Sequence, residues 1–336
     1  MVLHTPVVHN LFDLPHAEAS RLVATGAPVY LSVNPVEYHG PHLSLHNDRL
    51  ISEGLIADVH ARLSRHRPSW ALLRAADLEI GVEPCPGVGS RHTPFAIARE
   101  LVLEACRALA ELGCKRVVIM TFHGSPLHGL AIEAGVELLI ELGVQVIAPF
   151  NYVLRELLML DDPTEYAAAF THVDDRQERA AMMAELRTDF HAGFFETSMA
   201  LKYAPASVSP RYRDLPPCPE VRPDPALALA SRAASAMGRD VLSRELMFAA
   251  QGKGWNAMRP FYGYTGRPHQ ASAAAGEVFA NAMLDRYERP MLDVLDGKAR
   301  SPKPIMQWVN VVSMGGRLSG LHVPTDQIFR LEEARS

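Results

Sequence analysis

The chain is 336 residues long, 48% hydrophobic and 21% charged, with a formal net charge of -5 at pH 7. That composition supplies a globular core and excludes a disordered polyelectrolyte, and the mild acidity with scattered lysines and arginines argues against nucleic acid or an anionic membrane surface as partner. Asp13 and Glu18 interrupt the first thirty residues, and no window is apolar for long enough to span a bilayer, so the expected location is the cytoplasm.

Residues 29–33 form a short apolar run after Gly26 and Pro28, cut off by Asn34-Pro35, and read as a buried strand ending in a loop. Leu50, Ile51, Leu55, Ile56, Val59 and Leu63 then recur at helical spacing. The rhythm repeats: a strand at 70–73, a helix over 97–112 closed by Gly113, a strand at 116–120, a helix from Pro126 to about 142 closed by Gly143, and a strand at 144–148. Strands alternating with helices predict an α/β fold, a three-layer α/β/α sandwich with a mainly parallel sheet whose functional groups collect at the strands' carboxyl ends.

Residues 151–189 break the rhythm as a charged helical excursion over the site, with Asp161-Asp162-Pro163 and Asp174-Asp175 at turns or caps. A proline-rich surface loop is expected over 204–225, and helices over 226–248 and 271–287. The main domain is placed at 1–290. Residues 291–336 form a C-terminal extension whose apolar stretch at 308–312 is expected as an edge strand or an arm onto a neighbouring subunit. The four cysteines make no CxxC pair and read as reduced, mostly buried thiols.

Three polar segments fall where this sheet would gather its chemistry. The first, Glu37-Tyr-His39-Gly-Pro-His42-Leu-Ser-Leu-His46-Asn-Asp48, follows the first strand. Two residues apart on extended backbone, Glu37 and His39 point to one side, and Asp48 can return to them after the loop. Carboxylate and imidazole together suit zinc, manganese or iron. The plainer alternative is a polar loop whose histidines cap helices. The second is Thr121-Phe-His123-Gly-Ser125-Pro126, at a strand's carboxyl end, and the third is His191-Ala-Gly-Phe-Phe-Glu196-Thr-Ser198, beyond a helical segment.

Together these segments resemble the creatininase, or creatinine amidohydrolase, family, whose members look like Glu-x-His-Gly-Pro-His-Leu-Pro with a following Asp, then a strand ending in Asn-Gly-His-Gly-Gly-Asn, then His-Ala-Gly-x-x-Glu-Thr-Ser. Gly89-Ser-Arg-His92-Thr-Pro-Phe95 and residues 263–276 also resemble family segments, so the likeness covers roughly 25–290. It implies a divalent metal centre of one or two ions held by Glu37, His39, a bridging Asp48 and His123. It further implies hydrolysis of a C–N bond in a small, often cyclic, amide, lactam or formamide. His191 matches the family's proton-transferring histidine. Where creatininase takes a further carboxylate two residues after the histidine matching His123, this chain has Ser125. Glu196 is then a candidate for the missing metal oxygen, for a base, or for the group that orients His191. His42, His46, His92, Ser125 and His128 are candidates for the substrate pocket or the metal ligands' supports, with helix capping as the plainer role. Phe194, Phe195 and Met199 read as core. Trp70, Trp255 and Trp308 do not lie where the family's ring-stacking tryptophans do, which speaks against creatinine itself.

The implied chemistry is attack of metal-activated water on a planar carbonyl carbon, with His191 moving the proton to the departing nitrogen. The same activated water could open a lactone or cleave a ring ketone, and a non-catalytic assembly subunit is a third possibility that the presence of His191 and Glu196 weighs against. The family further implies a homo-oligomer, from dimer to hexamer, to which the apolar residues 305–312 would contribute.

Overall fold

The computed structural model describes residues 8–318 and 323–331. Its centre is a five-stranded sheet of β1 (Val8–Asn10), β2 (Val29–Asn34), β3 (Leu72–Glu79), β4 (Arg116–Met120) and β5 (Gln145–Ile147), in the order β1-β3-β2-β4-β5. Every pairing is parallel, so helices must carry the chain back between strands. The sandwich predicted from the alternating pattern is the one formed. β2 is buried along its whole length because Val29, Tyr30, Leu31 and Val33 present apolar groups to both faces. Ser32 of β2 lies level with Met120 of β4, so the loops after these two strands leave the sheet side by side.

The helices are α1 (His16–Val23), α2 (Asn47–His66), α3 (Phe95–Glu111), α4 (Pro126–Glu141), α5 (Phe150–Met159), α6 (Arg176–Glu185), α7 (Phe194–Tyr203), α8 (Pro225–Ala236), α9 (Asp240–Asn256), α10 (Ala273–Leu295) and α11 (Val309–Val312). α3 packs with α4 on one side of the sheet, while α2, α7 and α10 pack together on the other. α7 and α10 approach so closely that a β-carbon on Gly276 would fall 2.0 Å from the Ser198 carbonyl oxygen, which explains a glycine inside a helix.

Several elements differ from the pattern reading. β3 continues to Glu79 because its polar residues find partners: Arg74 pairs with Glu53 at 3.0 Å, and Asp77 with Arg49 at 3.0 Å. Trp70, expected in that strand, instead lies against the guanidinium groups of Arg67 and Arg116. The helix expected over 226–248 is two, α8 and α9, parted at Gly238, whose φ of 70° ends the first. α10 runs on past 287 to Leu295. The caps expected in the excursion are present, with Asp162 accepting from Thr164 N and Asp175 from Gln177 N and Glu178 N.

The C-terminal stretch corrects the edge-strand expectation: Val309–Val312 is a helical turn. Pro302 and Pro304 lack the N–H groups a ladder needs, and the chain crosses the end of β5 instead. There Ser301 Oγ accepts from Ala148 N, and Glu245 receives both Met306 N and Trp308 Nε1 at 2.8 Å. Val311, Val312, Met314 and Leu318 are left exposed. The cysteines are free, and among the described residues no helix is long and apolar enough to cross a membrane.

Gly276→Ala forces α7 and α10 apart at a point with no slack. It should destabilise the protein by about 1–3 kcal/mol, the usual scale for an overpacked core, read as a lower midpoint in thermal or urea unfolding.

Candidate metal centre

The site begins with Asn34, the last residue of β2. Its Oδ1 accepts from Phe122 N and from Ser52 Oγ, both at 3.0 Å, tying together the end of β2, the loop after β4 and α2. The loop that follows turns at Gly40, where φ is 64°, and Glu37 N donates to Leu45 O at 2.9 Å. That fold-back returns Asp48, in the first turn of α2, to Glu37 and His39.

The result is one buried cluster drawn from three distant segments. His39 Nε2 lies 3.0 Å from Asp48 Oδ1, and His123 Nδ1 lies 3.0 Å from Glu37 Oε2 and 3.6 Å from Asp48 Oδ2. Asp48 therefore turns one oxygen to each histidine. Glu196 Oε2 is 3.7 Å from His39 Nε2, and His191 Nδ1 is 4.0 Å from Glu37 Oε1 with its ring stacked on His39 at 4.4 Å. All six residues are at most 8% exposed.

Each histidine has its tautomer set by a backbone carbonyl, which can only accept. His39 Nδ1 meets Glu37 O, His123 Nε2 meets Val82 O, and His191 Nε2 meets Tyr38 O, each at 3.0 Å. Those nitrogens keep their protons, and the other nitrogen of each ring faces the carboxylates, where it can bind a metal once any proton on it leaves. Glu37 Oε2 and both oxygens of Asp48 are buried without a hydrogen-bond donor.

The electrostatics ask for a cation. Burial opposes charge on His39 and His123, yet Asp48, Glu37 and Glu196 around the first hold it up at about 10, and Glu37 and Asp48 hold the second at about 9. Burial lifts Glu196 to about 8 against the pull of His39. Ligand atoms of Glu37, Asp48 and His123 lie within 4.8 Å of one another, as do those of His39, Asp48 and Glu196, and those of Glu37, His39 and His191. Three buried carboxylates, oxygens of Glu37 and Asp48 without donors, and ring nitrogens that a metal can take in place of a proton fit a divalent ion.

The remaining candidates divide. His128 is buried, with Nε2 near Val33 O and Thr121 Oγ1, and sets its edge against His123 at 5.0 Å, so it supports that ring from behind. His42 is bonded through Nε2 to Thr197 Oγ1 at 2.9 Å, and burial pushes its pKa down to about 3. His46 pairs with Glu79, and His92 is exposed on the loop before α3. Ser125 does not enter the cluster: it caps α4, accepting from His128 N, and its hydroxyl donates to Glu83 Oε2 at 3.0 Å. Phe194, Phe195 and Met199 are core.

Three contributors were not singled out by the motifs. Trp255, remote from the motifs in sequence, reaches the site from the end of α9, its ring 5.2 Å from His191 and its Nε1 donating to Tyr264 O. Cys85 enters through its backbone, whose N–H donates to Glu37 Oε1. Asp189 is the hub of the turn bearing His191 and Glu196. It accepts from Phe195 N at 2.8 Å and Thr265 Oγ1 at 3.3 Å, while Thr265 N donates to His191 O at 2.8 Å. A β-carbon at Gly193 would sit 1.6 Å from Asp189 Oδ1, so the His-Ala-Gly spacing is set by this packing. Ala192, at φ 47°, donates its N–H to Glu196 Oε2. An Asp before the third motif and a Thr far downstream carry no distinctive spacing.

Comparison with known proteins identifies the fold and the family. A family model described as creatinine amidohydrolase matches residues 13–289. Among solved structures, a creatininase variant of Zn-Zn type is 19% identical, with a TM-score of 0.53, over 85% of this chain and 98% of that one. A manganese creatininase is likewise 19% identical, TM-score 0.51, over 85% and 98%. A creatininase variant complexed with creatine is 18% identical, TM-score 0.53, over 85% and 99%. No curated protein matches the sequence. The chain belongs to the creatininase family of metal-dependent amidohydrolases.

Proposed function

We propose that this chain hydrolyses a C–N bond in a small, cyclic amide, lactam or formamide at a centre of two divalent ions, zinc, manganese or iron. The observation that carries the reading is the split of Asp48, whose two oxygens belong to two different ligand sets. Glu37, Asp48 and His123 would hold one ion, and His39, Asp48 and Glu196 the other. Glu196 then fills the ligand place that Ser125 leaves empty.

When bound, such ions supply Lewis acidity, lowering the pKa of water toward neutrality and polarising a carbonyl oxygen. The protein's own groups do the rest. His191 has committed Nε2 to Tyr38 O, so Nδ1, facing Glu37, is the atom that takes a proton and returns it to the departing nitrogen. Trp255 and His39 both pack against its ring, which is buried. The turn built on Asp189 and Thr265 holds His191 and Glu196 in register with His39.

The exposed Val311, Val312, Met314 and Leu318 support a closed homo-oligomer, dimer to hexamer, in which a neighbouring copy covers this stretch. Light scattering at micromolar concentration should give at least a dimer mass, and a monomer mass would refute it.

The metal assignment is tested by titrating the apo protein with zinc in a calorimeter. Wild type should take two equivalents, Glu196→Gln one, and Asp48→Ala little or none, because the bridge is removed. Two equally tight sites in Glu196→Gln would remove that residue from the ligand set.

Proton transfer is tested by turnover on a panel of cyclic amides, formamides and lactones. His191→Ala should keep its metal and lose on the order of a hundredfold in turnover, the scale of general acid–base help. Near-normal rates would make His191 structural.

A further inference from the structure

Between two residues of the metal cluster stands one that belongs to no ligand set. Glu37 and His39 turn their side chains to the cluster, and the alternation of extended backbone turns Tyr38 the other way. Its ring packs with Cys85, Trp255 and Phe261. Two glycines make room for it. A β-carbon at Gly87 would overlap Tyr38 Cβ, Cγ and Cδ1, and one at Gly263 would overlap Cδ1 and Cε1. Gly263 also uses its freedom for a φ of 67°, but Gly87 is not at positive φ, so the tyrosine ring by itself explains a glycine there.

The backbone of Tyr38 is tied as firmly as its ring. Its N–H donates to Ser90 Oγ at 2.8 Å, and that hydroxyl donates to Cys85 O at 2.7 Å, so the loop bearing Gly87 grips residue 38 by main chain and side chain together. The carbonyl oxygen of Tyr38 accepts from His191 Nε2 at 3.0 Å. His191 also packs against the rings of His39 and Trp255, contacts that fix the plane of its imidazole and would survive a half-turn about χ2. The bond to Tyr38 O is what tells the two edges of the ring apart and keeps Nδ1 toward Glu37, 4.0 Å away.

We infer that Tyr38 is a positioning residue: its ring, seated on Gly87 and Gly263, fixes the direction of its own carbonyl and through that carbonyl the orientation of His191. The inference deepens the reading of His191 as the proton-transferring group and rests on it. A carbonyl swings when the backbone on either side of it rotates, and a large ring held in a close-packed seat resists that rotation where a methyl group would not.

The test follows the C2 hydrogens of individual histidines by deuterium exchange and peptide mass spectrometry, on zinc-loaded full-length protein at one pH. Such exchange is slow at an imidazole that is buried and bonded, and faster at one that moves and meets water. Tyr38→Ala should speed His191 roughly tenfold, the equilibrium worth of one intramolecular hydrogen bond, while His39 and His123 keep their rates. Tyr38→Phe retains ring and carbonyl and should match wild type. Gly87→Ala keeps the tyrosine but displaces its ring, and should speed His191 as well. Combined with Tyr38→Ala it should add nothing, because the new β-carbon no longer meets a ring. Melting curves identify a variant that fails to fold, and if Tyr38→Ala does, Gly87→Ala and Tyr38→Phe carry the comparison. The measurement reads the freedom of one imidazole and neither turnover nor metal stoichiometry, so near-normal rates in His191→Ala would end the catalytic reading and leave this result standing, and the reverse. Unchanged exchange at His191, or equal acceleration of His39, His123 and His191 as a loosened core would give, would overturn the positioning role.

Discussion

Glu37, Asp48 and Glu196 bury three carboxylates in one small volume, and like charges that close repel strongly in a low-dielectric interior unless positive charge lies between them. The surrounding structure answers this constraint. Three imidazoles turn one nitrogen inward, and three backbone carbonyls hold the opposite nitrogens in the donor form. Protons on the inward nitrogens of His39 and His123 offset part of that charge, and a divalent ion that takes their place would offset more.

Holding such a cluster together calls for rigidity, and the rigidity has left visible strain. Glu83 and Ala192 are non-glycine residues at positive φ, and each sits in a segment whose N–H groups or carbonyls touch the cluster. Behind Ala192, the Asp189 carboxyl is buried with no cation paired to it among the described residues, and burial raises its pKa to about 7. Backbone strain and a buried acid both disfavour folding, so they persist only where surrounding packing over-determines them. Here that packing comes from the parallel sheet, which brings the loops after β2 and β4 out side by side, and from α7, whose first turn supplies Glu196.

The C-terminal extension lies outside the family match, which ends at residue 289. It is bound to the main body by directed contacts: Lys303 reaches Glu133 and Glu137 on α4, and Glu245 on α9 receives Met306 N and Trp308 Nε1. Ile305 and Met306 pack with Leu158, and Leu154 of the same small cluster approaches Gly124 beside His123. Through α5 and α9 the extension thus backs the apolar side of the site.

Much of this protein was legible in its sequence. An apolar run after Gly26 and helices closed by Gly113 and Gly143 marked the strand and helix alternation, because burial on both faces leaves little choice of residue in a parallel strand. Glu37, His39 and Asp48 could be grouped because a short loop joins them, and His123 because parallel strands end at one edge. Where polar side chains were paired in three dimensions, as along Arg74, Asp77 and Glu79, hydrophobic pattern did not reveal the strand. The single helix expected over 226–248 hid a break that one left-handed glycine makes. Sequence could offer Glu196 only as ligand, base or orienting group, and left Ser125, Glu83, Asp189 and Trp255 without partners. Their roles depend on contacts between segments far apart in the chain, and those distances exist only once helices have packed on the sheet. Local spacing thus determined which residue types could serve a metal, while tertiary packing decided which atoms face one another and which stand aside.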